Sequence, residues 1–424
     1  MPRIDSLLNS DWRATLARLG GVGHIDATAR ATKAFQRPRG VRSAPDLLRV
    51  VLAYCLGARG LRLTAAWATA VGLADISNVA LLKRLRQCDV WLEQLVGELL
   101  AKGAPPAAQG RPIRLIHGTT VPKAARSERC RNGVWRIHGA FDLPRERFSH
   151  FELTDESGGE RLDRIPVAAG EIRIADAGFL QPERIAAVQA AGGDVVVRAA
   201  WRNGRWLDND GTAFDFVAAF AAAREGRIDR PLRLGRTGAE PLKLRLVAAR
   251  LPPDLAQAAR ARARRAAQKR GGRVSDAALI AAEWVVLATS LDAAAFPAAD
   301  VLALYRLRWR IELAFKRLKS VIGLQGPPSA DPRSARAFVL AHLLMILLLE
   351  PMIDRFEDSP PLGHGRLTRP GAWRLTVQLR ATLLQAIAPQ PRLRDVQRRW
   401  QKMRRNMHEP PRQKREYQRM TSLC

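Results

Sequence analysis

The sequence has few cysteines, few acidic residues for its size and no long apolar run. Its four cysteines, at positions 55, 88, 130 and 424, lack Cys-x-x-Cys spacing, so neither a zinc ribbon nor a disulfide framework is predicted. The longest apolar run, Val339–Leu349, is well short of the roughly 20 residues that a membrane span needs. The first residues include Asp5 and Asp11 and no stretch typical of a signal peptide. We therefore expect a cytoplasmic protein with no membrane partner.

Signatures of other protein classes are missing as well. No Gly-x-Gly-x-x-Gly or Gly-x4-Gly-Lys pattern occurs, so a nucleotide hydrolase has no support. The sequence also lacks the signatures of the RRM and KH modules, which counts against a generic basic RNA-binding protein. The sequence contains no internal repeat of the kind that a solenoid needs.

Positive charge is what the chain has in excess. It contains 70 Lys and Arg against 40 Asp and Glu, a formal net charge of +30. With 47% hydrophobic residues the chain is globular, so the charge does not belong to a disordered tail protein. A genome rich in arginine codons explains part of the excess, but a surplus this large predicts a polyanionic partner, nucleic acid above all. Arg260–Arg273 and the tail 391–424 are the strongest local concentrations.

Changes in pattern divide the chain into six segments, which predict an α/β fold with a mixed sheet. The glycines and prolines of residues 103–112 cannot lie inside a helix or a central strand, so we interpret that segment as a linker. The predicted segments are a helical N-terminal domain that binds DNA (1–102), the linker (103–112), the first part of a sheet core (113–198), an inserted β-rich subdomain (199–282), the second part of the core with a long helix at about 300–322 (283–323), and a helical C-terminal region with a mobile basic tail (324–424).

One helical segment carries a dense group of charged residues. At about 100° per residue, Tyr305, Arg308, Glu312 and Lys319 fall within an arc of about 60°. The helix would thus present one carboxylate among cations and a phenol, as a metal site beside a phosphodiester needs. A solvated face with ordinary Glu–Lys pairing is the alternative.

A second candidate is Asp176, which follows the apolar strand Glu171–Ala175 and precedes Gly178. This position puts a carboxylate at the rim of the sheet, where α/β sheets bind ligands. An Asp at a strand end is also an ordinary helix N-cap, so the position is not specific by itself.

Together these residues resemble a known family. Tyr305, Arg308, Glu312 and Lys319 reproduce the Y-x2-R-x3-E-x6-K signature of the IS-four type DDE transposases of bacterial insertion sequences, and Ala175–Phe179 looks like the family's second-aspartate motif. The resemblance implies an RNase H-like core interrupted by a β-rich insertion. It also implies two divalent ions, Mg²⁺ or Mn²⁺, that activate the nucleophile and stabilise the leaving oxygen.

The resemblance assigns roles to single residues. Asp176 and Glu312 would be metal ligands, and Tyr305, Arg308 and Lys319 would hold the DNA backbone. The expected partners are the terminal inverted repeats of the element, target DNA and a second copy of the chain, joined through the C-terminal helices. The expected location is the bacterial cytoplasm, in association with the nucleoid.

The sequence departs from the family at the first metal-binding aspartate. Where the family has Asp-Gly-Thr at the end of the first strand, this chain has His117 followed by Gly-Thr-Thr. An imidazole offers one nitrogen and cannot bridge two ions, whereas Mg²⁺ prefers oxygen ligands. An inactive copy is the leading expectation. The alternatives are a site completed by Asp142 or Asp155 or run with Mn²⁺, and a catalytically silent protein that occupies element ends.

Overall fold

The computed structural model describes residues 4–57, 59–102, 110–124, 133–357 and 371–407. The chain forms two compact units. The helical unit comprises Met1–Lys102, Pro122–Gly133 and Arg317–Cys424, and the sheet unit comprises Gly103–Val121 and Val134–Lys316. Cys130, Cys424, most of the predicted linker and the end of the basic tail lie outside the described residues.

The sheet unit is built on one nine-stranded mixed sheet with the order β3-β2-β1-β4-β5-β9-β8-β7-β6. Its first three strands are a meander, and β4 and β5 run parallel to β1. This order confirms the predicted α/β fold with an RNase H-like mixed sheet. The strands are β1 (Ile113–Pro122), β2 (Val134–Asp142), β3 (Arg147–Thr154), β4 (Ile172–Ala175), β5 (Asp194–Arg198), β6 (Trp206–Leu207), β7 (Arg227–Arg236), β8 (Ala239–Arg250) and β9 (Trp284–Thr289).

The strands of residues 199–282 extend the same sheet. β9 pairs antiparallel with β5 on one side and with β8 on the other, so β8, β7 and β6 continue the sheet outward. An apolar core covers one face and includes Val195, Val197, Leu246 and Trp284. The helices of this part of the chain are α7 (Pro182–Ala190), α8 (Phe216–Ala222), α9 (Pro253–Gln268), α10 (Asp276–Ala282), α11 (Ala298–Arg306) and α12 (Trp309–Ser320).

Two elements differ from the predicted ones. The first strand does not end at His117, where the family pattern places its end, but continues to Pro122, because the backbone there keeps its extended pairing. The predicted long helix at 300–322 is interrupted between α11 and α12. At the interruption, the Arg308 amide bonds to the Tyr305 carbonyl and the Ile311 amide to the Arg308 carbonyl, so the chain is wound more tightly than an α-helix.

The helical unit contains the remaining described helices. They are α1 (Ile4–Arg18), α2 (Gly21–Ala31), α3 (Ala44–Leu56), α4 (Leu61–Ala70), α5 (Asn78–Arg86), α6 (Asp89–Lys102), α13 (Pro332–Glu357), α14 (Ala372–Ile387) and α15 (Leu393–Met407). α13 is the one described helix long and apolar enough to cross a membrane, and 78% of its most apolar stretch is buried. Every residue of the apolar run Val339–Leu349 is buried, so this part of α13 is a core helix.

The described part of the basic tail is a helix, which corrects the prediction of a mobile segment from 391 onward. α15 packs on α4, where Met403 contacts Ala66 and Ala70. Its cations also pair at this surface: the Arg405 guanidinium lies 2.5 Å from the Asp75 carboxylate. The Met403 contact and the ion pair between Arg405 and Asp75 hold this segment in place, although the segment carries a net positive charge.

A buried ion pair lies at the start of β4. Glu171 and Arg173 are both fully buried, and Nε of Arg173 donates to Oε1 of Glu171 at 2.7 Å. Nη1 of Arg114 donates to the other oxygen at 2.9 Å. The pair balances the charges that the start of β4 brings into the core.

Replacing one partner of this pair should be strongly destabilising. In Glu171→Gln the Arg173 guanidinium keeps its burial and loses its counter-charge, so we expect the free energy of unfolding to fall by about 3 kcal/mol or more. Glu152→Gln is the matched control, because Glu152 pairs with Arg164 at 2.7 Å but is 35% exposed, and its loss should be below about 1 kcal/mol. Urea unfolding followed by circular dichroism measures both; equal losses would contradict the expectation.

Candidate active site

The predicted metal ligand Asp176 lies at the edge of the sheet beside His117, the residue at the family's first-aspartate position. β1 and β4 run parallel in a register that pairs Leu115 with Ile174, so His117 and Asp176 come two residues later on both strands. Nδ1 of His117 is 3.9 Å from Oδ2 of Asp176. The other carboxylate oxygen, Oδ1, accepts a hydrogen bond from the Gly178 amide at 3.0 Å. The parallel pairing of two strands thus places and orients the pair.

Phe315 packs α12 against the sheet beside His117. The Phe315 ring lies 5.7 Å from the His117 ring and 5.1 Å from the Phe148 ring, centroid to centroid. A Cβ at Gly139 would lie 2.7 Å from Cζ of Phe315, so only glycine at this position of β2 leaves room for the ring. The contact fixes the helix that carries Glu312 near the strand that carries His117.

Glu312, the predicted third metal ligand, pairs with Arg308, which belongs to the same sequence signature. Nη2 of Arg308 lies 2.5 Å from Oε1 of Glu312, four residues further on. The guanidinium is 5.8 Å from the Tyr305 ring centroid. Burial raises the pKa of Tyr305, although Arg308 and Arg198 act to lower it. The phenol is therefore protonated and can donate to a phosphate oxygen.

An open cavity of about 660 Å³ joins these groups. Asp176, Tyr305 and Arg308 line it, together with Arg198 and Trp201. Two arginines and a phenol beside the Asp176 carboxylate suit a phosphodiester whose scissile bond lies at Asp176.

The structure brings together five of the six predicted site residues. They are His117, Asp176, Tyr305, Arg308 and Glu312, all in the sheet unit. Lys319 lies on α12, two turns beyond Glu312, and belongs to the helical unit. Burial lowers the pKa of Lys319.

The two carboxylates considered as substitutes for the first aspartate, Asp142 and Asp155, lie at other positions of the sheet than His117. The Leu143 amide bonds to the Ile113 carbonyl, so Asp142 lies at the start of β1, about 13 Å along the strand from His117. Asp155 follows β3, two strands away from β1, and its carboxylate accepts a hydrogen bond from the Ser157 amide.

Sequence reasoning missed Glu160, which lies in this cavity. Burial raises the pKa of the Glu160 carboxyl, and the nearby Asp176 carboxylate raises it further, while Arg136 opposes both. The signal available in the sequence was the pair Gly158-Gly159 directly before it, which allows the chain to turn back after β3. The two glycines predict a turn, but they do not predict that the turn brings Glu160 close to Asp176.

His117 and Asp176 are close enough to bind one divalent ion, but the described part of the chain shows no complete set of ligands for it. Two bonds of about 2.1 Å to one ion can span up to about 4.2 Å, which accommodates the 3.9 Å between His117 and Asp176. Among the residues that the structure describes, no three His, Cys, Asp or Glu side chains stand close enough to hold one ion. The Oε1 atom of Glu312 is paired with Arg308.

Comparison with known proteins agrees with this geometry. The transposase DDE domain family matches residues 154–348. The chain is 37% identical over 369 residues to "Putative transposase InsL for insertion sequence element IS186A" of Escherichia coli (strain K12), which covers 84% of this chain and 98% of that protein. It is also 37% identical over 370 residues to "Transposase for insertion sequence element IS421" of Escherichia coli, with the same coverage. The chain therefore belongs to the DDE transposases of bacterial insertion sequences, the family that the spacing of Tyr305, Arg308, Glu312 and Lys319 predicts.

Proposed function

We propose that this protein binds the ends of its own insertion sequence and cleaves and transfers the DNA strands there. The observation that carries the proposal is the adjacency of His117 and Asp176 at the sheet edge, with Nδ1 and Oδ2 3.9 Å apart. Asp176 also shares its cavity with Tyr305 and Arg308. Family membership supplies the reaction class, and the family uses divalent metal ions.

In this proposal His117, Asp176 and Glu312 hold the ions, Mn²⁺ in preference to Mg²⁺. When bound, the ions activate the attacking oxygen and stabilise the leaving oxygen. The Gly178 amide keeps one oxygen of Asp176 occupied, which leaves Oδ2 on the side of His117. With DNA bound, Arg308 would pair with the phosphate, and Glu312 would then be free to hold an ion.

We also propose how the rest of the chain contacts DNA. Tyr305, Arg308 and Lys319 hold the backbone near the cleaved bond, and the helical region 1–102 binds the terminal inverted repeat. On α9, Arg260 is engaged by Glu283 at 2.8 Å. The cations further along this helix are exposed and face solvent: Arg262, Arg264, Arg265 and Lys269. Salt-dependent binding follows from this assignment. We also propose action as a homodimer and association with the nucleoid.

A second candidate is a catalytically silent protein that occupies element ends. The observations that favour it are the histidine in place of an aspartate and the pairing of Glu312 with Arg308. Both leave the ion site short of carboxylates in the structure as it stands.

The experiment is cleavage of a labelled duplex that carries the DNA flanking this coding sequence, with the full chain in Mn²⁺ and in Mg²⁺. We expect binding that weakens with salt and nicks at the element end in Mn²⁺. Binding without nicks in either metal would establish the silent protein instead. Equal affinity for single-stranded RNA of the same length would contradict both functions.

A further inference from the structure

Glu160 is a third acidic residue of the site, and its side chain lies beside Gly118 of β1 and Gly178, which follows β4. After β3 the chain turns at Gly158 and Gly159, and Nε2 of Gln181 donates to the Glu160 backbone carbonyl at 2.8 Å. This bond ties the residue to the segment that follows Asp176. The Glu160 side chain is 27% exposed and lines the same cavity as Asp176.

Two glycines make room for the Glu160 carboxylate. A Cβ at Gly118 would lie 2.9 Å from Oε1 of Glu160, and a Cβ at Gly178 would lie 2.7 Å from Oε2. Gly118 directly follows His117, and Gly178 donates its amide to Asp176. The carboxylate therefore fills the space beside both residues, and larger side chains at either glycine would displace it.

The ion pair that Glu160 makes with Arg136 is a long one. Nη1 of Arg136 is 4.0 Å away, longer than a hydrogen bond. By contrast, Asp163 in the same part of the chain has Arg161 at 2.9 Å and Arg184 at 3.0 Å. Half-buried carboxylates side by side repel each other, and a bound divalent cation is the simplest group that removes the repulsion.

We propose that Glu160 is a metal ligand that supplies the carboxylate missing at position 117. The inference rests on the proposed function, since it concerns the ions of that reaction. With Glu160, the site again has three carboxylates, Glu160, Asp176 and Glu312, and His117 adds a nitrogen donor. Such a mixed set favours Mn²⁺ over Mg²⁺.

The required movement is small. Oε2 of Glu160 and Oδ1 of Asp176 lie 2.7 and 3.3 Å from one point, the Cβ position of Gly178, so they are at most 6.0 Å apart, the sum of these distances. Two ligand bonds of about 2.1 Å can span about 4.2 Å. Oδ2 of Asp176, the oxygen assigned to the ion, belongs to the same carboxylate, so a rotation of the Glu160 side chain is the movement that the proposal requires.

The test measures Mn²⁺ binding directly, by the loss of the free-ion electron paramagnetic resonance signal, with the full chain and no DNA. Glu160→Gln keeps the shape and removes the charge, and we expect it to weaken Mn²⁺ binding at least tenfold. Glu183→Gln is the matched control, since Glu183 is exposed in the first turn of α7, and its affinity should equal that of the unchanged protein. Thermal unfolding without metal checks that both variants fold.

The outcomes separate the inference from the proposed function. If Glu160→Gln binds Mn²⁺ as tightly as the unchanged protein, while the latter binds the ion and nicks DNA, Glu160 is not a ligand and the transposase proposal stands. If the unchanged protein neither binds Mn²⁺ nor nicks DNA, both proposals are wrong. Weak binding by Glu160→Gln together with the loss of nicking in Mn²⁺ supports both.

Discussion

Asp176→Asn is expected to reduce nicking of the element end by at least about 1000-fold, equivalent to roughly 4 kcal/mol of the activation free energy. The amide removes the charge on the ion side, where Oδ2 faces Nδ1 of His117. It keeps an oxygen for the Gly178 amide, because asparagine caps a turn as well as aspartate does. The fold and the DNA contacts should therefore survive while the chemistry is lost. Single-turnover cleavage in Mn²⁺ gives the rate, and a gel-shift titration gives the affinity for the same duplex.

The control for this substitution is Asp276→Asn. Asp276 is an exposed carboxylate in the first turn of α10, in the same compact unit. It removes one negative charge from the surface without touching the cavity, so we expect cleavage within about twofold of the unchanged protein. An Asp176→Asn variant that cleaves as fast as the control would remove Asp176 from the ion site.

The parts of the site that follow from local sequence were predictable. Asp176 lies at the sheet rim because its strand ends there, and the spacing of Arg308 and Glu312 brings their side chains together on one turn. The interruption at Leu307 and Arg308 leaves this pair intact, because Glu312 lies in the first turn of α12 and Arg308 directly precedes that helix.

The parts that depend on distant segments were not predictable. β1 extends through His117 because β2, more than a dozen residues later, pairs with it. Glu160 reaches Asp176 because the turn after β3 passes over the two glycines, and nothing in the spacing of residues 155–160 encodes that path. The helix α15 shows the same limit, since its packing on α4 depends on residues more than 300 positions away.

His117→Asp is expected to change which metal the protein uses. The carboxylate restores an oxygen donor that can bridge two ions, so we expect nicking in Mg²⁺ to rise at least about 100-fold over the unchanged protein. In Mn²⁺, which accepts imidazole, the gain should be below about tenfold. Rates in both metals, with the same flanking duplex, give the two ratios. Equal gains in both metals would mean that His117 limits a step other than ion binding.

The same substitution tests whether Glu160 compensates for the histidine. If Glu160 supplies the missing carboxylate, Glu160→Gln should abolish cleavage in the unchanged protein but cost His117→Asp little, because the bridging ligand is then present at position 117. The four proteins of this double-mutant cycle measure the coupling directly, and residues that share one ion couple strongly. Additive losses would instead mean that the two side chains act separately. If none of the four proteins cleaves DNA although all bind it tightly, the inactivity does not arise at position 117. The role of the protein would then be to occupy the element ends.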